Sequence, residues 1–252
     1  MSDAKGPEGR KPTKAERKEQ ARIEREELQR KEARRSRMRV LGIGLVAAAL
    51  AIAVGLAVLL QPDSVDLPSS EELLAQSDAA IEQAECTPAD NVGPYQPETS
   101  DSAHIGTESG PPEMPPLSTY ASVPPTSGPH APVTQGAGVY DSSPPIDQVL
   151  HSLEHGAVVI WYDPAASGPE LQKIKDFYAD EEFVIVAPYD YSEQGEAGRL
   201  PAGVEMAVTA WHFTQECADL SLAASYAFVD DYRAIASNDD YQGEAPEPGA
   251  AI

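Results

Sequence analysis

The sequence predicts an α/β fold: a small extracytoplasmic α/β sandwich, wrapped by a Pro-rich extended layer and preceded by one transmembrane helix. Three observations predict it. Helical periodicities alternate with fully apolar, strand-length runs between residues 145 and 236. Thirteen of the 23 prolines fall between Cys86 and Pro145, too densely for long helices or central strands. Val40 to Leu60 is an uncharged apolar run of 21 residues. As a helix it is about 31 Å long, the hydrocarbon thickness of a bilayer.

The N-terminal segment, residues 1–39, carries 14 of the 18 Lys and Arg beside 8 acids. Residues 14–37 interleave the two signs at helical spacings, which predicts a solvated helix. Arg34, Arg35, Arg37 and Arg39 then flank the apolar run, and Asp63 and Asp66 follow it. The positive-inside rule puts residues 1–39 in the cytoplasm and residues 61–252 outside. The run is too long for the apolar part of a cleaved signal peptide, and no small-x-small site precedes Gln61. It reads as an uncleaved signal anchor in the cell membrane, residues 40–60.

Beyond the membrane the chain is strongly acidic, with 33 Asp and Glu against Lys173, Lys175, Arg199 and Arg233. The whole chain has a formal net charge of −23. That excludes a dedicated nucleic-acid binder, which needs a basic stripe. Ser69-Ser70-Glu71-Glu72 has a capping-box pattern and opens a short helix to about Ala84, within a stalk spanning 61–85. An extracytoplasmic domain spans 86–236. Its Pro-rich stretch also holds His104, His130, Tyr95, Tyr120 and Tyr140, more than a bare spacer needs.

The regular core follows. Ser143-Pro144-Pro145 starts a helix and Gly156 stops it. Residues 157–162 (AVVIWY) read as a buried strand, 169–179 as a helix and 183–187 (FVIVA) as a second strand. Residues 204–213 (VEMAVTAWHF) read as a third strand, and 218–235 as a closing amphipathic helix. Residues 237–252 read as a disordered acidic tail. Two cysteines exclude a zinc-finger or disulfide-dense framework. Both lie on the oxidising side, so a Cys86–Cys217 disulfide is expected, with two buried thiols as the alternative.

All five histidines, His104, His130, His151, His155 and His212, fall within 104–212. The sharpest unit is His151-Ser152-Leu153-Glu154-His155. Positions i and i+4 share a helix face, so both imidazoles can grip one ion. At 100° per residue, Ile146, Val149, Leu150 and Leu153 form the core stripe. The histidines lie on the opposite side, with Asp147 and Glu154 beside them. The competing readings are a solvated polar face, a metal or ligand site, and a structural hydrogen-bond network. The spacing H-x-x-E-H also matches a zinc-peptidase signature, but the helix stops at Gly156 and no third-ligand motif follows. Pro124-Pro125-Thr126-Ser127-Gly128-Pro129 fixes a turn that can present His130 as a third ligand, with an ordinary Pro-rich turn as the alternative.

The order PPTSGPH (124–130), Gly138-Val139-Tyr140, HSLEHG (151–156), an apolar strand ending in Tyr162, TAW (209–211) and Cys217 resembles the bacterial domain of unknown function 3105 family. His104-Ile105 and Cys86 fit it as well, so the resemblance covers roughly 86–235. It implies a membrane-anchored extracytoplasmic protein of a kind found in many actinobacteria. It also implies that His104, His130, His151, Glu154 and His155 belong together, and it assigns no reaction. The sequence departs from the family pattern after Trp211, where a glycine is expected and His212 stands. His212 is therefore read as an exposed strand residue.

These readings converge on a transition-metal site for zinc or copper. His130, His151 and His155 are its ligands, with His104 and Glu154 as further ligands or supporting groups. The alternative is an envelope protein-interaction module with structural histidines, and a zinc-dependent hydrolase ranks below both. The sequence points to no particular protein partner, substrate or reaction.

Overall fold

The computed structural model describes residues 67–252 together with scattered positions between 18 and 38. The chain divides into two units, residues 1–64 and 65–252. In the first, the described positions are helical, and Arg22 pairs with Glu19 at 2.9 Å and Glu26 at 3.7 Å, at helical spacings. The apolar run 40–60 lies outside the described residues. Among the described residues no helix is long and apolar enough to cross a membrane.

The second unit is mixed α/β, built on one six-stranded sheet. It begins with α1, Ser70–Gln83, opened by the expected capping box. The Ser69 hydroxyl accepts from the Glu72 amide at 3.3 Å, and the Glu72 carboxylate accepts from the Ser69 amide at 2.8 Å. The helix belongs to the domain rather than to a free stalk, because Leu73 and Ala84 are buried in its core. After it come the two-residue strands β1 (Asp90–Asn91) and β2 (Gly138–Val139), then α2 (Ile146–Glu154) and β3 (Val158–Tyr162). Next are α3 (Pro169–Tyr178), β4 (Val184–Pro188), β5 (Met206–Ala210), β6 (Phe213–Cys217) and α4 (Leu222–Tyr232).

The strand order is β1-β6-β5-β3-β4-β2. β2, β3 and β4 run parallel, and β5 and β6 are antiparallel. Strand side chains alternate between faces, and two cores result. Val158, Ile160, Tyr162, Val184, Val186, Met206 and Val208 point to one face, where they meet α1, α3 and α4. Val159, Trp161, Ile185, Ala187 and Ala207 point to the other, where they meet Ile146, Val149, Leu150 and Leu153 of α2. β3 and β4 are apolar throughout because both their faces are covered. The second face is completed by Tyr95, Leu117 and Tyr120 from the Pro-rich stretch. Between β1 and β2 that stretch has no helix beyond the short 3-10 turns Glu98–Ser100 and Leu117–Thr119.

Three expectations need correction. The run 204–213 is not one strand. It is the first arm of a hairpin, which turns at Trp211-His212 and returns as β6. His212 adopts φ +65°, and this turn carries no Gly or Asn to announce it. The closing helix is shorter than 218–235 because the Ser221 hydroxyl caps it, accepting from the Ala224 amide at 3.2 Å. Residues 237–252 are laid against the domain. Ala245 is buried, the Glu247 amide donates to the Glu154 carbonyl at 3.1 Å, and the Gly249 amide donates to the His155 carbonyl at 3.0 Å.

Cys86 and Cys217 form a disulfide across 131 residues of sequence. It joins the start of the Pro-rich stretch to the end of β6. Closing a loop of that length restricts the unfolded chain by about 5 kcal/mol in the chain-entropy account. Replacing both cysteines by alanine is expected to lower unfolding free energy by up to about that amount. Equilibrium denaturation of the oxidised parent and the variant measures it.

Gly156 ends α2 at φ +87°, and a Cβ there would lie 2.2 Å from the Ala234 Cβ. Left-handed backbone and a clash act together. Gly156→Ala is expected to destabilise by more than the ~1 kcal/mol typical of a lost left-handed glycine, read by the same denaturation.

Candidate functional site

α2 has two buried sides. Its apolar stripe meets the sheet as the periodicity requires. The opposite, polar side is not solvated: His151, Glu154 and His155 are all buried. The Pro-rich stretch covers it. Residues 101–105 and 128–130 run side by side there. The His130 amide donates to the Ala103 carbonyl at 3.0 Å, and the Ile105 amide donates to the His130 carbonyl at 2.8 Å. The Ala131 amide then reaches the Asp147 carbonyl at 3.1 Å, fastening this layer to α2.

His130 is held in a turn that no other residue type at 128 would permit. Gly128 has φ +122°, and a Cβ would lie 2.8 Å from the Tyr120 ring and 2.9 Å from the Tyr95 ring. The Gly128 carbonyl accepts from His130 Nδ1 at 2.8 Å. That bond fixes the ring and directs Nε2 inward, towards Glu154.

The layer and the helix together converge His104, His130, His151 and Glu154, whose ligand atoms all lie within 4.8 Å of one another. One carboxylate oxygen, Glu154 Oε2, lies 3.0 Å from His130 Nε2 and 3.8 Å from the Nε2 atoms of both His104 and His151. Neighbouring ligands in a tetrahedral site with bonds of 2.0–2.1 Å stand about 3.3 Å apart. The cluster brackets that spacing. His104 is the member open to solvent, its side chain 39% exposed against 0% for His130, 9% for His151 and 5% for Glu154.

The closest contact at the centre is between His130 Nε2 and Glu154 Oε2, at 3.0 Å. The carbonyl of Gly128 can only accept, so His130 Nδ1 carries a proton. Its Nε2 then meets a second acceptor, Glu154. Burial raises the Glu154 pKa, but the hydrogen bond and charge of His130 outweigh it and hold the carboxyl below its usual range. Two acceptor atoms this close need a proton between them or a cation beside them. Burial, with repulsion from His130 and His155, pushes the His151 pKa down. His104 Nε2 and His151 Nδ1 are buried without a hydrogen-bond partner. An imidazole nitrogen without a hydrogen-bond partner is available to ligate a metal ion.

His155 is placed differently from the other four predicted residues. Its ring lies edge-on to His151, with centroids 4.6 Å apart. Its Nδ1 donates to the Ala251 carbonyl at 2.8 Å, and Nε2 faces Glu247 Oε2 at 3.4 Å. It fastens the C-terminal segment and is not one of the four converging side chains. In the H-x-x-E-H reading both histidines would hold the ion and the glutamate would face water. Here Glu154 is itself at the centre.

His212 is not an exposed strand residue. It sits in the β5–β6 turn, its side chain 13% exposed, between two carboxylates. Nε2 donates to Asp101 Oδ2 at 2.8 Å and Nδ1 to Glu244 Oε2 at 2.9 Å. Holding a histidine in left-handed backbone costs about 1–2 kcal/mol, which these two bonds offset. Sequence reasoning missed Asp101, Glu244 and Glu247 as partners of histidines. They lie in polar stretches without periodicity, and only the folded chain brings them near.

The model of the family described as protein of unknown function (DUF3105) matches residues 116–250, more than half of the chain. No curated protein and no solved structure gives a match. The matched region includes His130, His151, Glu154 and the C-terminal segment to Ala250. It begins after His104.

Burial lowers the His212 pKa, but its bonds and charge contacts with Asp101 and Glu244 outweigh that and raise it. Burial raises the Asp101 pKa, but bonds from His212, Ser127 and the Tyr95 amide lower it overall, and His212 lowers that of Glu244. The stability from His212 is complete below its unfolded value of about 6.5 and is lost as pH rises through the raised folded value. That from the carboxylates is complete above about 4.3 and is lost as pH falls through their lowered values. Thermal melting of the parent and His212→Asn is expected to differ most between about pH 4.3 and 6.5. The gap should close on the alkaline side.

Proposed function

The chain belongs to the family described as protein of unknown function (DUF3105), and on that premise we propose that its folded domain binds one transition-metal ion at the outer face of the cell membrane. The observation that carries the reading is the convergence of three imidazole Nε2 atoms on one buried carboxylate oxygen. His104, His130, His151 and Glu154 are the ligands. His155 supports His151 by ring packing and ties the C-terminal segment beneath it. Three nitrogens, one oxygen and no sulfur suit zinc(II) or copper(II) rather than copper(I). Metal delivery, sensing or storage at the cell envelope fits a buried site with one solvent-facing ligand.

Placement rests on the sequence. The apolar run 40–60 anchors the chain once, residues 1–39 lie inside, and residues 61–252 lie outside as a linker and a domain. The disulfide agrees with an oxidising compartment. The Pro-rich stretch is the wrapping layer that supplies His104 and His130.

Elemental analysis tests the reading on the full chain, solubilised in detergent and purified without a His tag or chelators. The parent is expected to hold close to one equivalent of zinc or copper. His130→Ala/His151→Ala should lose it, and Glu154→Gln should bind at least about tenfold more weakly. A parent without metal that takes up neither zinc nor copper on titration would sink the reading. The histidines would then be a structural network under the Pro-rich layer. A zinc hydrolase would in addition need turnover on a peptide panel that Glu154→Gln abolishes.

A further inference from the structure

We propose that His212 is a positioning residue for the histidine cluster, clamping the segment that carries His104 and His130 to the β5–β6 hairpin through Asp101. The inference deepens the metal-binding reading and rests on it.

Two routes run from His212 to the cluster. The first passes through Asp101, whose Oδ2 accepts from His212 Nε2 at 2.8 Å. The other oxygen, Oδ1, accepts from the Tyr95 amide at 2.6 Å and the Ser127 hydroxyl at 2.5 Å. The Asp101 carbonyl accepts from the Gly128 amide at 2.9 Å. Asp101 therefore holds the Ser127-Gly128 turn that orients His130, and it lies three residues before His104. The second route is packing. Trp211, the other residue of the hairpin turn, sets its ring edge-on to His130 with centroids 6.0 Å apart. Its own neighbour in the turn is His212, with centroids 5.5 Å apart.

Both ring nitrogens of His212 face carboxylates, one on the layer and one on the C-terminal segment. The imidazolium thus bridges two segments distant in sequence from each other and from the hairpin. A neutral side chain cannot donate at both ends of this geometry. Glycine would accept the φ +65° backbone of this position without strain, so the chain keeps a histidine here against its backbone preference. The side chain, not the turn, accounts for that residue.

The test compares the full-length parent with His212→Gly, which keeps the turn and removes the clamp. Zinc affinity is measured by competition with a chromophoric chelator, and amide hydrogen exchange is followed at Gly128, His130 and Ile105. His212→Gly is expected to weaken zinc binding about 10-fold to 100-fold, the range for partners that orient a ligand. The three amides should exchange faster, while the amides of β3 and β4 stay unchanged. A parent that binds zinc and a variant that binds it equally well would overturn the proposal. A parent that binds no metal would overturn the metal reading instead. Exchange alone then decides: faster exchange confined to the three amides supports the clamp, and unchanged exchange removes it. Should His212→Gly fail to fold, Asp101→Asn takes its place in both measurements with the same expected outcomes.

Discussion

The architecture depends on burying the polar side of α2. A helix usually presents one stripe to a core and leaves the rest to water. Here Leu150 and Leu153 meet the sheet while His151, Glu154 and His155 lie under a second layer of chain. An ionised carboxylate in such a place is costly unless paired. Everything around Glu154 answers that requirement. His130 reaches it directly, His104 and His151 stand at 3.8 Å, and Gly128 fixes the ring that makes the closest approach.

The layer that covers α2 has the composition of a linker, yet proline density explains how it performs as a wall. Each proline removes a backbone donor that would otherwise need a partner. Side chains meet several of the layer's remaining polar groups. Tyr120 Oη donates to the Pro129 carbonyl at 2.7 Å, and Asp101 takes the Tyr95 amide and the Ser127 hydroxyl. The layer is thus pinned by side chains rather than by a sheet ladder. That leaves its backbone free to follow the helix and to aim two histidines at one point. The disulfide secures one end of the layer, and the His212 bridge secures its middle.

Local signals were legible in the sequence and distant ones were not. Ser69 and Glu72 announced a capping box, Pro145 and Gly156 bracketed α2, and the apolar runs at 157–162 and 183–187 are β3 and β4. The pairing of Cys86 with Cys217 was expected from the oxidising side that the sequence implies, and the disulfide is present. The angular placement of His151 and Glu154 away from Leu150 was also right, but it could not show that this side is buried. A helical projection knows one helix and nothing of the chain that crosses it. The Trp211-His212 turn escaped for a related reason: its left-handed residue is held by side chains from Asp101 and Glu244 rather than by a glycine. The final residues read as disordered because their composition is acidic and Pro-rich, while their order comes from His155, Glu154 and His212.

Charge decides what the cluster is suited to hold. Beyond residue 39 there are four basic side chains, and three of them are engaged elsewhere: Lys173 with Glu170, Lys175 with Asp141, and Arg233 with Glu181. Among the described residues no ammonium or guanidinium pairs with Glu154. His104 Nε2, 3.8 Å from that carboxylate, is buried without a hydrogen-bond partner. A divalent ion between the same atoms would neutralise Glu154 and also engage the lone pairs of His104, His130 and His151. It would enter past His104, from a domain surface whose excess of carboxylates raises the local concentration of cations. The acidity of the domain and the buried carboxylate of the cluster thus act in the same direction, drawing cations towards Glu154.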